Sequence, residues 1–222
     1  MPWFATTAAI LIAYGLYLGL LIAPTDFQQG DSYRIIFVHV PASLMSMFLY
    51  VVMAIYAALG ITLNARLSYT MATSIAPTGA MFTFLALLTG SFWGKPTWGT
   101  WWDWDARITS ELILLFLYIG YMSLQAAIND KRRSDRASAV LAIVGVINVP
   151  IIYFSVKWWN TLHQGSSLNL TKSSTMAPIM LKAMLIMMIA FWLYSVAVIL
   201  TRTCRETEDR ERSAAWLQEI KE

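Results

Sequence analysis

The 222-residue chain is poor in the residues that most enzymes and small secreted domains rely on. It has one cysteine, Cys204, two histidines, and only 13% charged residues. A single cysteine excludes a disulfide framework, a four-cysteine zinc site and an iron–sulfur ferredoxin. A charged share about half that of an ordinary soluble domain is too small to cover a soluble globule. No His-Glu-x-x-His motif occurs. Gly90-Ser-Phe-Trp-Gly94-Lys95-Pro96 is one residue short of a phosphate loop, and proline replaces the Ser/Thr that would hold magnesium, so no ATPase is encoded.

What the chain has instead is apolar length. Hydrophobic residues make up 58% of it, and there are ten tryptophans. A bilayer core takes about 20 apolar residues per helix, and six such runs are present: Trp3–Ala23, Ala42–Leu63, Thr70–Gly90, Ile108–Ile128, Ala137–Val156 and Ala177–Thr201. The expected fold is an all-α integral membrane protein with six transmembrane helices and short loops. The first run lacks a basic leader and belongs to the series, so it is read as a retained span rather than a cleaved signal. Pro77 and Pro150 fall inside spans and are expected to kink them. Gly15-x-x-x-Gly19 and Gly90-x-x-x-Gly94 permit close helix packing.

Six spans put both termini on one side. That side carries ten Lys and Arg: Arg66, Lys131, Arg132, Arg133, Arg136, Arg202, Arg205, Arg210, Arg212 and Lys221. The other side carries five: Arg34, Lys95, Arg107, Lys157 and Lys172. The excess makes the termini cytoplasmic and the three odd loops extracytoplasmic. The net charge of +3 follows from these loops and calls for no nucleic acid. The division expected is 1–201 for the six-span domain, with a tryptophan-rich outer loop over 91–107, and 202–222 for a charged cytoplasmic tail. Cys204 reads as an ordinary free thiol. Asp103, Arg107 and Glu111, four apart, read as a self-neutralising charge ladder on a helix face.

The tryptophans are unevenly placed. Trp93, Trp98, Trp101, Trp102 and Trp104 crowd one outer loop, and Trp158 and Trp159 open the last one. A lipid-anchoring belt would scatter them over both interfaces. If the segment is helical, Trp98, Trp101, Trp102 and Asp105 share a face, an aromatic platform for a large, flat, apolar ligand with polar groups. The only histidines, His39 and His163, fall on the same outer face and flank that loop. Two imidazoles about a flat platform suggest axial ligation of a haem iron; zinc would want three or four ligands. No Cys-x-x-Cys-His is present, so haem would not be attached as in a c-type cytochrome. A b-type haem electron-transfer protein acting with quinone is the alternative, although such proteins usually set their histidines within facing helices. A permease subunit without cofactor is a third.

The run from Trp98-Gly-Thr-Trp-Trp102 through Trp104-Asp105-Ala-Arg107 to Glu111 resembles the tryptophan-rich WWD signature of the haem-handling protein family, and within it the CcmC group of cytochrome c maturation. Tyr33-Arg-Ile-Ile-Phe-Val-His39-Val-Pro41, Thr89-Gly-Ser-Phe-Trp-Gly-Lys-Pro96 and Trp158-Trp-Asn-Thr-Leu-His163-Gln-Gly165 agree with it. The resemblance implies a haem b site facing the periplasm from a bacterial inner membrane. His39 and His163 would be the axial iron ligands, with Trp98, Trp101, Trp102, Trp104 and Asp105 against the porphyrin. It implies delivery of haem to the periplasmic chaperone CcmE, with CcmA and CcmB as ABC transporter subunits and CcmD as a small associated peptide. It implies a haem-transfer subunit rather than an enzyme. Arg34 and Lys172 are candidates to meet the haem propionates.

Overall fold

The computed structural model describes residues 2–159, 161, 163 and 176–211. Among them the fold is helical, with seven α-helices: α1 Pro2–Tyr17, α2 Ile36–Leu63, α3 Arg66–Trp98, α4 Ala106–Ala127, α5 Lys131–Gly145, α6 Asn148–Trp158 and α7 Pro178–Arg210. A π-turn, Leu18–Ile22, extends α1, and a 3₁₀ turn, Asp31–Ile35, leads into α2. Six segments are long and apolar enough to cross a membrane, as the sequence implies.

The fifth span is two helices. Pro150 has no N–H to offer the carbonyl four residues back and its ring crowds that carbonyl. The helix accordingly breaks at Val146–Ile147, between α5 and α6. Asn148 opens α6 and donates its side-chain N–H to the Ser110 carbonyl of α4 at 2.8 Å. Pro77 produces no such break, because α3 runs through it.

Several helices run past the apolar windows. The second begins at Ile36 rather than Ala42, so His39 lies in its first turns. The third continues beyond Gly90 to Trp98, where Gly99 takes a left-handed conformation (φ 79°) and ends it. The tryptophan segment is therefore shorter than the expected loop over 91–107: only Gly99–Asp105 connects α3 to α4. The sixth span continues through Arg202 to Arg210 as one helix. Residues 212–222 of the tail lie outside the described residues.

The core is built around α2. Tyr50 meets Tyr118 of α4 edge-on with ring centroids 4.9 Å apart. Met53 and Ala57 of α2, Ala72, Ile75 and Phe82 of α3, Leu114 of α4 and Met187 of α7 complete it. Gly15 and Gly19 serve the close packing their spacing suggests: a Cβ on either would overlap Met187 or Phe37.

At the end that carries the termini, the helices are tied by charge. Arg210 of α7 forks onto Asp135 of α5 at 2.7 and 3.0 Å and also donates to Glu206. Glu206 meets Lys131 at 3.3 Å. Gln125 of α4 donates to Asp135 and Ser138. Arg202, further up α7, donates to Thr78 of α3 at 2.8 Å.

Candidate functional site

At the opposite end, α2, α3 and α4 enclose a cavity of about 40 Å³, and about 470 Å³ of free space when its mouth is included. His39, Ser43, Gly90, Trp93, Trp98, Arg107, Glu111 and His163 are among its walls. The two histidines, 124 positions apart in the chain, face one another here. Their ring centroids are 6.1 Å apart and the planes differ by 33°.

His39 is held by α3. Its Nδ1 lies 3.0 Å from the Ala86 carbonyl and 3.1 Å from Thr89 Oγ1. The Thr89 hydroxyl donates to the Leu85 carbonyl at 2.6 Å, so towards His39 it serves as an acceptor. Nδ1 therefore carries the proton, and Nε2 keeps its lone pair for a ligand. A ring nitrogen whose partner is fixed in this way is the usual support of a metal-binding imidazole. Gly90 makes room for the ring: a Cβ there would sit 3.0 Å from His39 Cε1. Trp93 stands edge-on to His39 at 5.7 Å, and its indole N–H donates to Gln29 of the first loop at 2.8 Å. Trp98 lies 6.0 Å from the ring of His163.

The remaining residues of the tryptophan motif are placed differently from the shared helical face the sequence suggested. That face required a helix over 98–105, and the left-handed Gly99 prevents it. Trp101 is 53% exposed and meets Phe92 edge-on. Trp104 is 74% exposed and stands against Trp102 at 5.4 Å. Asp105 caps α4, its Oδ1 accepting the Ile108 N–H at 2.8 Å. None of Trp101, Trp102, Trp104 and Asp105 lines the cavity; Trp98 does.

Three other sequence expectations are revised. Asp103 precedes α4 and so cannot belong to a helical ladder. Arg107 and Glu111 do share α4, but they point into the cavity wall. Arg34 donates to the Gly19 carbonyl and pairs with Asp31 at 2.9 Å, and it is not among the cavity residues. Lys172 lies outside the described residues. Trp93, Thr89 and Gly90 are wall residues or supports of His39 that the sequence reading missed. Their signal is the helical spacing Ala86, Thr89, Gly90, Trp93, which a span ended at Gly90 cuts off.

These features define a class: a six-span membrane protein with two facing imidazoles in an aromatic-walled cavity at one end of the bundle. The chain belongs to the CcmC family, "Heme exporter protein C", whose model matches residues 1–218. It is 44% identical over 220 residues to heme exporter protein C of Escherichia coli K12, covering 99% of this chain and 89% of the relative. The corresponding protein of Bradyrhizobium diazoefficiens is 48% identical over 219 residues, covering 98% and 83%. A ccmC-like mitochondrial protein of Marchantia polymorpha, named for cytochrome c biosynthesis, is 44% identical over 198 residues, covering 89% and 82%.

Proposed function

We propose that this protein handles haem for cytochrome c maturation, holding haem b between His39 and His163 and delivering it to the chaperone CcmE. The observation that carries this reading is the facing histidine pair. A metal–imidazole bond is about 2.0–2.1 Å. Two such bonds end to end, with a ring radius added at each end, span about 6 Å, against the 6.1 Å between the centroids. The His39 tautomer, set by the Ala86 carbonyl, leaves the correct nitrogen for iron. When bound, the haem would supply an iron centre, which His39 and His163 would hold.

The chain's own residues would divide the remaining work. Trp93 and Trp98 form apolar walls beside the ligands. Trp101, Trp102 and Trp104, outside the cavity lining, would add aromatic surface for a large flat ligand. Asp105 acts by starting α4 at the right residue, which aims Arg107 and Glu111. A cargo held at the open end of the bundle remains accessible to a chaperone, as delivery requires.

The excess of Lys and Arg at the terminal end supports a cytoplasmic location for it and a periplasmic location for the site, in a bacterial inner membrane. In this reading residues 1–201 are the haem-handling domain and 202–222 a cytoplasmic tail. The protein works as a non-enzymatic subunit, with CcmA and CcmB supplying ATP hydrolysis and the permease, and CcmD associating. A quinone-linked electron carrier draws less support, because His163 lies beyond the end of α6 rather than within a helix facing α2.

The test is the double variant His39→Ala/His163→Ala, purified after haem-replete expression. Loss of the bis-histidine Soret and α bands is expected, with the helical content unchanged. An unaltered spectrum in that variant would sink the ligand assignment.

A further inference from the structure

The haem reading makes no use of the charged wall of the histidine cavity. Arg107 and Glu111 stand one turn apart on α4, and both line the cavity with Ser43 and His39. Glu111 is 5% exposed. Its Oε1 accepts the Ser46 hydroxyl at 2.6 Å, and its Oε2 has no hydrogen-bond partner among the described residues. Arg107 donates to the Ile152 carbonyl at 3.0 Å and to Ser43 Oγ at 3.3 Å, both uncharged. Among the described residues no ion pair within 4 Å joins the two.

Opposite charges thus face one cavity without closing on each other. Ionisable groups inside a membrane are costly and mark function. A pair kept only for stability would meet directly, as Arg210 and Asp135 do at the other end. The cavity between them measures about 40 Å³, and Glu111 Oε2 is buried beside it without a hydrogen-bond partner among the described residues.

We propose that Glu111 sets the reduction potential of the bound haem, its carboxylate held beside the ligand pair by Ser46. The inference rests on the bis-histidine reading. A ferric centre carries one more positive charge than a ferrous one, and a carboxylate in a low-dielectric cavity favours the ferric state. Removing that charge while Arg107 remains moves the balance towards ferrous.

The experiment is a one-electron optical redox titration of the full-length, haem-loaded protein in detergent. Glu111→Gln keeps the shape and the Ser46 contact and removes the charge. The bands should stay bis-histidine while the ferric/ferrous equilibrium moves towards ferrous by about tenfold, about 59 mV for one electron. Glu111→Asp, which keeps the charge, should return most of that shift. An unmoved midpoint in Glu111→Gln, or equal shifts in the Gln and Asp variants, overturns the proposal and leaves Glu111 a packing residue. Should Glu111→Gln not accumulate, Ser46→Ala carries the test. It strips from the buried carboxylate the hydrogen bond that favours its charged form, so the midpoint should move the same way as in Glu111→Gln, and no movement overturns the proposal. Failure of the underlying reading looks different: the bis-histidine bands are then missing from the unaltered protein.

Discussion

The two ends of the bundle treat their buried polar groups in opposite ways. At the terminal end, Asp135, Arg210, Glu206 and Gln125 hydrogen-bond one another across α4, α5 and α7. At the site end, groups are left waiting. Seven buried side-chain polar atoms have no partner among the described residues, and five of them belong to Thr97, Trp102, Asp105, Thr109 and Glu111. Native proteins satisfy nearly all such groups, and of these five Glu111 is the one that lines the histidine cavity. One end pairs its polar groups across helices, and the other leaves a buried carboxylate oxygen unpaired beside the histidines.

Breaking the clamp tests that contrast hardest. Asp135→Ala leaves the half-buried Arg210 guanidinium paired with Glu206 but without its bidentate partner. A stability loss of about 1.5–3 kcal/mol is expected, read as a lower denaturation midpoint in detergent, with the haem bands of the surviving protein unchanged. A spectral change in that variant would mean the two ends are coupled rather than separate.

The next effects belong to the site end and should appear in the spectrum first. Gly90→Ala places a methyl 3.0 Å from His39 Cε1 and displaces the ring, because α3 cannot retreat. Overpacking of this kind costs about 1–3 kcal/mol, and the bis-histidine signature should weaken or turn mixed-spin. Thr89→Val keeps the volume and removes one of the two acceptors near His39 Nδ1. A loss of about 1 kcal/mol is expected, with faster haem dissociation measured by transfer to apomyoglobin. Trp104→Ala should be the mildest: its ring is mostly exposed, so stability should stay within about 0.5 kcal/mol. Delivery of haem to the chaperone should fall while retention holds. A large stability loss there would place Trp104 in the core after all.

Much of this was legible in the order of the residues. Six apolar runs cannot remain in water, and their length matches one bilayer crossing, so the span count needs no tertiary information. The two histidines and the crowded tryptophans were visible for the same reason: parity of spans puts them on one face. The Pro150 break was legible only in part, since Pro77 removes the same hydrogen bond and α3 runs through it.

The arrangement within that face was not legible. Whether residues 98–105 form a helix depends on the left-handed Gly99 and on where α4 begins at its Asp105 cap. Both are local caps that a continuous helical reading passes over, a glycine stop bonded to the Lys95 carbonyl and an aspartate bonded to the Ile108 N–H, and with them Trp101 and Trp104 are exposed. Glu111 looks in sequence like a member of a surface ladder, and only the approach of Ser46 from α2 buries it. Sequence alone determined that this is a six-span membrane protein with its histidines at one end, because hydrophobicity and span parity act through composition and order. Tertiary structure decided which aromatic rings line the cavity and that a buried carboxylate lies beside the histidines, because contacts between distant helices depend on packing that no local pattern encodes.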